Sequence, residues 1–158
     1  MLEKEEAIVE KLKQRFSDLA PVIQRERRIW AEVSREKFLE VLGFLCKELG
    51  FYSLCTVTGL DCEDQFQLIY HVAESGSKDG GIIFSLKESA PKSDPVFDTA
   101  TELYKGGTLY ELEARNLLGL TIRGIPDDIR YPLPDSWSEG QYPLRKQWHK
   151  NPISEEEK

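Results

Sequence analysis

The sequence contains few of the residues from which independent active sites are built. Its 158 residues include three cysteines and two histidines. Cys46, Cys55 and Cys62 form no CxxC pair, and their spacing fits neither a zinc site nor an iron–sulfur motif. The glycine pairs have the character of turns, and no glycine-rich phosphate-binding loop is present. The sequence therefore gives no support for an active site of its own.

The chain also lacks an excess of positive charge. Its 21 Lys and Arg residues are outnumbered by 28 Asp and Glu residues, which gives a net charge of -7 and a pI near 5.0. Nucleic acids and anionic membrane surfaces both select clustered basic residues. No apolar run approaches the roughly 20 residues that span a bilayer. We expect neither nucleic-acid binding nor direct membrane insertion.

Cysteine usage indicates the compartment. An odd number of cysteines without paired spacing argues against a disulfide framework. The N-terminus alternates charged and apolar residues and lacks the apolar core of a signal peptide. We expect a reducing, cytoplasmic location.

The remaining composition, 40% hydrophobic and 31% charged, is typical of one soluble domain. Ser34 is the predicted N-cap of the second helix, and Gly50 the left-handed residue after it. Periodicity predicts, in order, a helix over 1–19, a strand over 27–33, a helix from Ser34 to Gly50, strands over 51–58, 65–72 and 81–86, a helix from Pro95 to the pair Gly106–Gly107, and a helix from Thr108 to Gly119.

The three consecutive strands have short polar connections, which predicts an antiparallel meander. Helices before and after a meander indicate an α+β fold with two layers, in which helices pack on a mainly antiparallel sheet. His71 lies within the second of these strands, so we interpret it as a half-buried or solvated side chain and not as a metal ligand. His149 lies in the tail with no carboxylate nearby to orient it.

The last predicted helix carries polar residues at informative spacings. Thr108 and Glu111 have the spacing of a capping box. Glu111 and Arg115 have the spacing of an i,i+4 ion pair. Glu111 and Glu113, two positions apart, point in different directions and cannot form a catalytic carboxylate pair.

The C-terminal part loses periodicity. Five prolines lie between Pro126 and Pro152, with Trp137, Tyr142 and Trp148 among them. Proline keeps such a segment extended, and large aromatic side chains need a surface on which to lie. We predict a globular body over residues 1–122 and an extended proline-rich arm over residues 123–158 that binds a partner protein.

These motifs resemble those of the C-type subunit family of NADH-quinone oxidoreductase, whose members belong to the peripheral arm of respiratory complex I. That family has a Glu-Arg-Glu helix followed by Asp, an apolar pair and Gly, then a Gly-His-Pro-Asp turn and a closing Pro-Leu-Arg-Lys. The corresponding residues here are Glu111–Glu113, Asn116–Gly119, Gly124–Asp127 and Pro143–Lys146. Upstream, the strand ending at Asp61 stands in the expected order.

This chain departs from the family pattern at three polar positions. Leu112 replaces the Arg, Asn116 the Asp and Ile125 the His. These departures favour the divergent branch found in energy-converting, membrane-bound [NiFe] hydrogenases. The electron donor and acceptor are not indicated by the sequence.

The resemblance implies an accessory, non-catalytic subunit of an oxidoreductase complex that holds no redox cofactor and no metal. It would pack on the large catalytic subunit, hydrogenase-like or quinone-reducing, near an iron–sulfur subunit, at the inner face of the membrane. The candidate partner-interface residues are Glu111, Glu113, Arg115, Asn116, Pro126, Asp127, Arg130, Pro143, Leu144, Arg145 and Lys146.

Two alternatives stay open. The chain could be a stand-alone protein-binding adaptor, which we would expect to order its own tail. It could also be an enzyme that uses Cys62 or His71, although the neighbouring groups that activate a nucleophile are missing.

Overall fold

The computed structural model describes residues 2–76 and 81–148. The tail from His149 to Lys158, including Pro152, lies outside the described residues, as do four residues of the connection before the third meander strand. In chain order the elements are α1 (Glu3–Arg15), β1 (Val22–Arg25), β2 (Arg28–Val33), α2 (Arg35–Lys47), β3 (Ser53–Asp61), β4 (Gln65–Ala73), β5 (Ile83–Pro91), β6 (Val96–Asp98), a 3-10 turn (Lys105–Gly107), α3 (Thr108–Leu118) and β7 (Thr121–Arg123).

The main sheet has five strands in the order β1-β2-β5-β4-β3. The predicted meander is confirmed, because β4 pairs antiparallel with both β3 and β5. β2 joins the other side of β5 in parallel, and β1 pairs antiparallel with β2 at the edge. β1 was not predicted, since its four residues include Gln24 and Arg25 and none of them is fully buried.

The three helices pack on one face of this sheet, as the two-layer α+β prediction requires. Alternate residues of β4, from Phe66 to Val72, are buried against them. The ring of Phe38 on α2 lies 4.8 Å from that of Tyr70. A side chain at Gly59 of β3 would lie 2.6 Å from Leu118, so α3 packs directly on β3.

The two predicted ends of α2 are different in kind. Ser34 precedes the helix, but its hydroxyl caps no backbone amide, so this part of the prediction is wrong. The carbonyl of Ser34 accepts the amide of Lys37 instead, at 3.1 Å. Gly50 has a φ of 79°, which confirms the left-handed residue after α2.

The predicted helix from Pro95 to the glycine pair is wrong. Val96–Asp98 forms β6, which pairs in parallel with β7, and the chain then makes a single turn at Ala100. Phe97 and Ala100 are both fully buried. Their three-residue spacing fits a helix, but a short strand followed by a turn buries the same two side chains.

Candidate partner interface

Glu111 of α3 lies inside the body and not at the surface. Its side chain has no exposed area. Oε1 accepts the Tyr70 hydroxyl at 3.0 Å and the Ala100 amide at 2.8 Å, and Oε2 accepts the Thr99 hydroxyl. Burial raises the pKa of Glu111, and these three donors lower it only in part. The carboxyl group therefore ties α3 to β4 and to the turn after β6.

Three expectations for Glu111 are corrected by this position. The capping box is wrong, because Gly107 is the N-cap and the Thr108 hydroxyl donates to the Lys105 carbonyl. The ion pair with Arg115 is wrong, because both oxygens are used by the body. A role at the partner interface is also wrong, since a fully buried side chain presents nothing to a partner.

Glu88 of β5 is a second buried carboxyl group, and sequence reasoning missed it. It has no exposed area, and neither of its oxygens has a hydrogen-bond partner among the described residues. Burial, reinforced by Asp98 and Glu111 and opposed by Arg35, raises its pKa to about 9. Glu88 is therefore protonated at neutral pH. The alternation of Phe84 and Leu86 on the core face, extended by two residues, would have found it.

The first half of the arm is fastened to α3. The Arg115 guanidinium donates to the carbonyls of Pro126 and Ile129, both at 2.6 Å. The amide nitrogen of Asn116 donates to the Tyr131 carbonyl at 3.1 Å. Two predicted interface residues thus bind the chain's own backbone, and they fix the segment from Pro126 to Tyr131 on the outside of the helix.

Arg145 fastens the far end of the arm to the end of α3. Its Nε donates to the Leu118 carbonyl at 2.6 Å and Nη2 to the Gly119 carbonyl at 3.2 Å. The guanidinium carbon also lies 4.4 Å from the Tyr142 ring centroid and 5.2 Å from that of Phe66. A cation suits the partial negative charge at a helix C-terminus, and aromatic faces attract it further.

Asp61, at the end of β3, holds the residue that follows Arg145. Its Oδ2 accepts the Lys146 amide at 2.8 Å, and its Oδ1 pairs with the Lys92 ammonium at 2.6 Å. The side chain is only 4% exposed. Burial raises the pKa of Asp61, but Lys92 and the Lys146 amide outweigh it, so the pKa is lowered and the group is charged. Asp61 was not among the predicted site residues.

Gly119 ends α3 as predicted, in the left-handed conformation with a φ of 71°. It is also the floor on which the arm lies. A β-carbon here would lie 2.5 Å from the Tyr142 ring and 2.6 Å from Arg145. Both the helix end and the close approach of the arm require glycine at this position.

The middle of the arm is held together by its own side chains. Trp137 and Trp148 stack at 6.0 Å, and both indole N–H groups donate to Gln141 at 2.9 Å. Arg130 donates to the Trp137 carbonyl at 2.7 Å and to Glu139 at 3.1 Å. In its described part, the arm therefore lies on its own body and on itself. Contact with a second protein stays a prediction.

Several predicted interface residues remain accessible. The exposed ones are Glu113, Pro126, Asp127, Arg130, Leu144 and Lys146, whereas Arg115, Asn116, Pro143 and Arg145 are half-buried. Among the exposed large apolar side chains of the protein, four belong to α3 and the arm: Leu109, Ile129, Tyr131 and Leu144. We call the outer surface of α3 and the arm, with these four side chains, the arm face.

The groups considered for chemistry are dispersed. Within residues 2–76 and 81–148, no cluster of three or more His, Cys, Asp or Glu side chains is placed to hold a metal ion. His71 is half-buried, as interpreted from the sequence, and bonds with Ser85 at 2.8 Å and Thr58 at 3.3 Å. Burial lowers its pKa. No helix of the described part is long and apolar enough to cross a bilayer.

Comparisons with known proteins were made with this geometry in hand. The model of the family described as "Respiratory-chain NADH dehydrogenase, 30 Kd subunit" matches residues 31–153. The membrane-bound hydrogenase subunit beta of Pyrococcus furiosus is 29% identical over 91% of this chain and 86% of its own length. The C-type subunit of the NADH-quinone oxidoreductase of Citrifermentans bemidjiense is 30% identical over 94% of this chain and 91% of its own length.

A solved structure of an archaeal respiratory membrane complex, the membrane-bound sulfane sulfur reductase, contains a similar chain. The TM-score is 0.82 at 24% identity, over 93% of this chain and 86% of that one. At this identity the likeness establishes the fold alone, and it supports the α+β assignment.

Proposed function

Because the chain belongs to the family of the respiratory-chain NADH dehydrogenase 30 Kd subunit, we propose that it docks on the large catalytic subunit of a membrane-attached oxidoreductase and supports electron transfer without catalysing a reaction itself. Its relatives are subunits of NADH-quinone oxidoreductase and of membrane-bound hydrogenase. This chain is accordingly an accessory subunit of an oxidoreductase complex. An iron–sulfur subunit would be its second neighbour, and the inner face of the membrane its location.

The arm face is the observation that supports the docking role. The polar groups of Arg115, Asn116 and Arg145 are spent on holding the arm to the body. Leu144, by contrast, is 55% exposed although it follows a half-buried proline. Protein interfaces combine an apolar centre with a polar rim. Exposed Glu113 and Lys146 are suited to that rim.

The proposal assigns no redox cofactor to this protein. The dispersal of the cysteines supports this, because Cys46 is buried, Cys55 is exposed, and each is a free thiol. An iron–sulfur cluster needs several thiolates around one point. Electron transfer in the complex would therefore pass through the neighbouring subunits.

A paired substitution tests the docking surface. Leu144→Asp places a charge on the arm face, and Val22→Asp places the same charge on β1, where the native side chain is equally exposed at 55%. Each variant is tagged, expressed in the native host and affinity-purified, and the co-purified proteins are quantified by mass spectrometry. We expect Leu144→Asp to lower recovery of the large subunit at least tenfold, since an unpaired charge in an apolar interface is costly.

The control should recover the large subunit as the unaltered protein does. Equal recovery with both variants would exclude the arm face as the docking surface. Recovery of the unaltered protein alone would favour the adaptor function, which the folding of the arm on its own body also fits.

A further inference from the structure

We propose that Asp61 clamps the arm closed on the body of the free subunit, so that a partner docks on an arm already in place. The first half of this inference concerns the isolated chain. The second half rests on the proposed function, because it requires that a partner reads the arm face.

Asp61 joins three segments that are far apart in sequence. It ends β3, its Oδ1 pairs with Lys92 just beyond β5, and its Oδ2 accepts the amide of Lys146, 85 residues away. The carboxylate is nearly enclosed, so both bonds are shielded from water. Charge-assisted hydrogen bonds of this kind are stronger than neutral ones.

The clamp acts on a segment that is already well fitted. The Leu144 amide donates to the Leu117 carbonyl at 3.0 Å, on one side of Arg145, and the Lys146 amide binds Asp61 on the other side. Arg145 between them binds the carbonyls at the end of α3. Three consecutive residues are thus fixed, each to a different group of the body.

This fixation determines what a partner encounters. With Lys146 held by Asp61, Leu144 stands exposed beside the C-terminal end of α3. Ordering a free arm during docking would cost conformational entropy for every residue fixed. A closed arm has lost that entropy beforehand, so the same contacts give a higher affinity. The occupant of this surface is the large subunit of the proposed complex.

Asp61→Ala tests the clamp, and Asp18→Ala is its matched control. Asp18 also pairs with a lysine at 2.6 Å, but with Lys37 on α2, away from the arm. Amide hydrogen exchange is measured by mass spectrometry on the full-length free subunit. We expect residues 141–148 to exchange about tenfold faster or more in Asp61→Ala, as loss of a charged hydrogen bond predicts. Peptides from β4 and β5 should exchange as before.

A second variant separates loss of the clamp from misfolding. Asp61→Asn keeps an oxygen for the Lys146 amide but loses the charge that pairs with Lys92. We expect an intermediate rate over residues 141–148. The large subunit recovered with tagged Asp61→Ala should fall at least several-fold relative to Asp18→Ala.

The outcomes are distinguishable. Unchanged exchange over residues 141–148 in Asp61→Ala overturns the clamp, whatever the partner does. Faster exchange with unchanged recovery of the large subunit overturns the claim that docking requires a closed arm. If the unaltered protein recovers no large subunit, the proposed function fails, and the exchange rates still decide the clamp.

Discussion

Replacing Glu88 by glutamine is expected to change how the stability of the body depends on pH. Glu88 is fully buried without a hydrogen-bond partner among the described residues, and its pKa is raised to about 9. In the unfolded chain the carboxyl group returns to its ordinary value of 4.5. Glutamine has the size of the protonated side chain and does not titrate.

The sign of the effect follows from proton binding. Between the two pKa values the folded state keeps the Glu88 proton while the unfolded state has lost it. Stability from this group is therefore greatest below about pH 4.5 and decreases as the pH rises towards 9. At about 1.4 kcal/mol per pH unit, the free energy of unfolding loses about 4 kcal/mol between pH 5 and pH 8.

The assay is urea unfolding followed by circular dichroism at pH 5, 6, 7 and 8. We expect the two proteins to have similar stability at pH 5 and Glu88→Gln to be more stable by up to about 4 kcal/mol at pH 8. Glu111 contributes to the pH dependence of both proteins in the same direction, because its pKa is also raised. The difference between the two proteins therefore isolates Glu88. Glu113→Gln, at an exposed position of α3, controls for the loss of a negative charge.

Parallel loss of stability in the two proteins across this range would refute the reasoning. It would mean that Glu88 is charged in the folded state, with a compensating partner.

Two further substitutions test the site. Tyr70→Phe removes a buried donor to Glu111, and we expect the free energy of unfolding to fall by about 1–2 kcal/mol; a change below a few tenths of a kcal/mol would show that Glu111 is satisfied without it. Gly119→Ala places a β-carbon against Tyr142 and Arg145 at a left-handed position, so we expect faster amide exchange over the arm and about 1 kcal/mol lower stability. Unchanged exchange over the arm in that variant would show that the arm does not lie on this residue.

Sequence periodicity predicted the elements that bury a regular face. The stripe of α2 and the alternation along β4 are local patterns, and both appear where expected. Phe97 and Ala100 misled the prediction, because two buried side chains three residues apart fit a helix and also a strand followed by a turn. The partner that makes β6 a strand is β7, which lies beyond α3 in the chain.

The site was less predictable because its contacts are distant in sequence. Thr108 and Glu111 have the spacing of a capping box, yet Tyr70 and Thr99 draw the carboxyl group into the body. The resemblance identified Arg145 correctly as part of a motif, but not that it binds its own helix. Asp61 could be recognised only once the fold had brought Lys146 to it.

The central claim is that this protein is a structural subunit whose arm face docks on a large catalytic subunit. Its most direct test is affinity purification of the tagged, unaltered protein from its native membranes, with amide exchange compared between the purified complex and the free subunit. The account predicts co-purification of a hydrogenase-like or quinone-reducing large subunit and slower exchange in α3 and the arm. Recovery of a lone monomer, or slower exchange confined to α1 and β1, would contradict it.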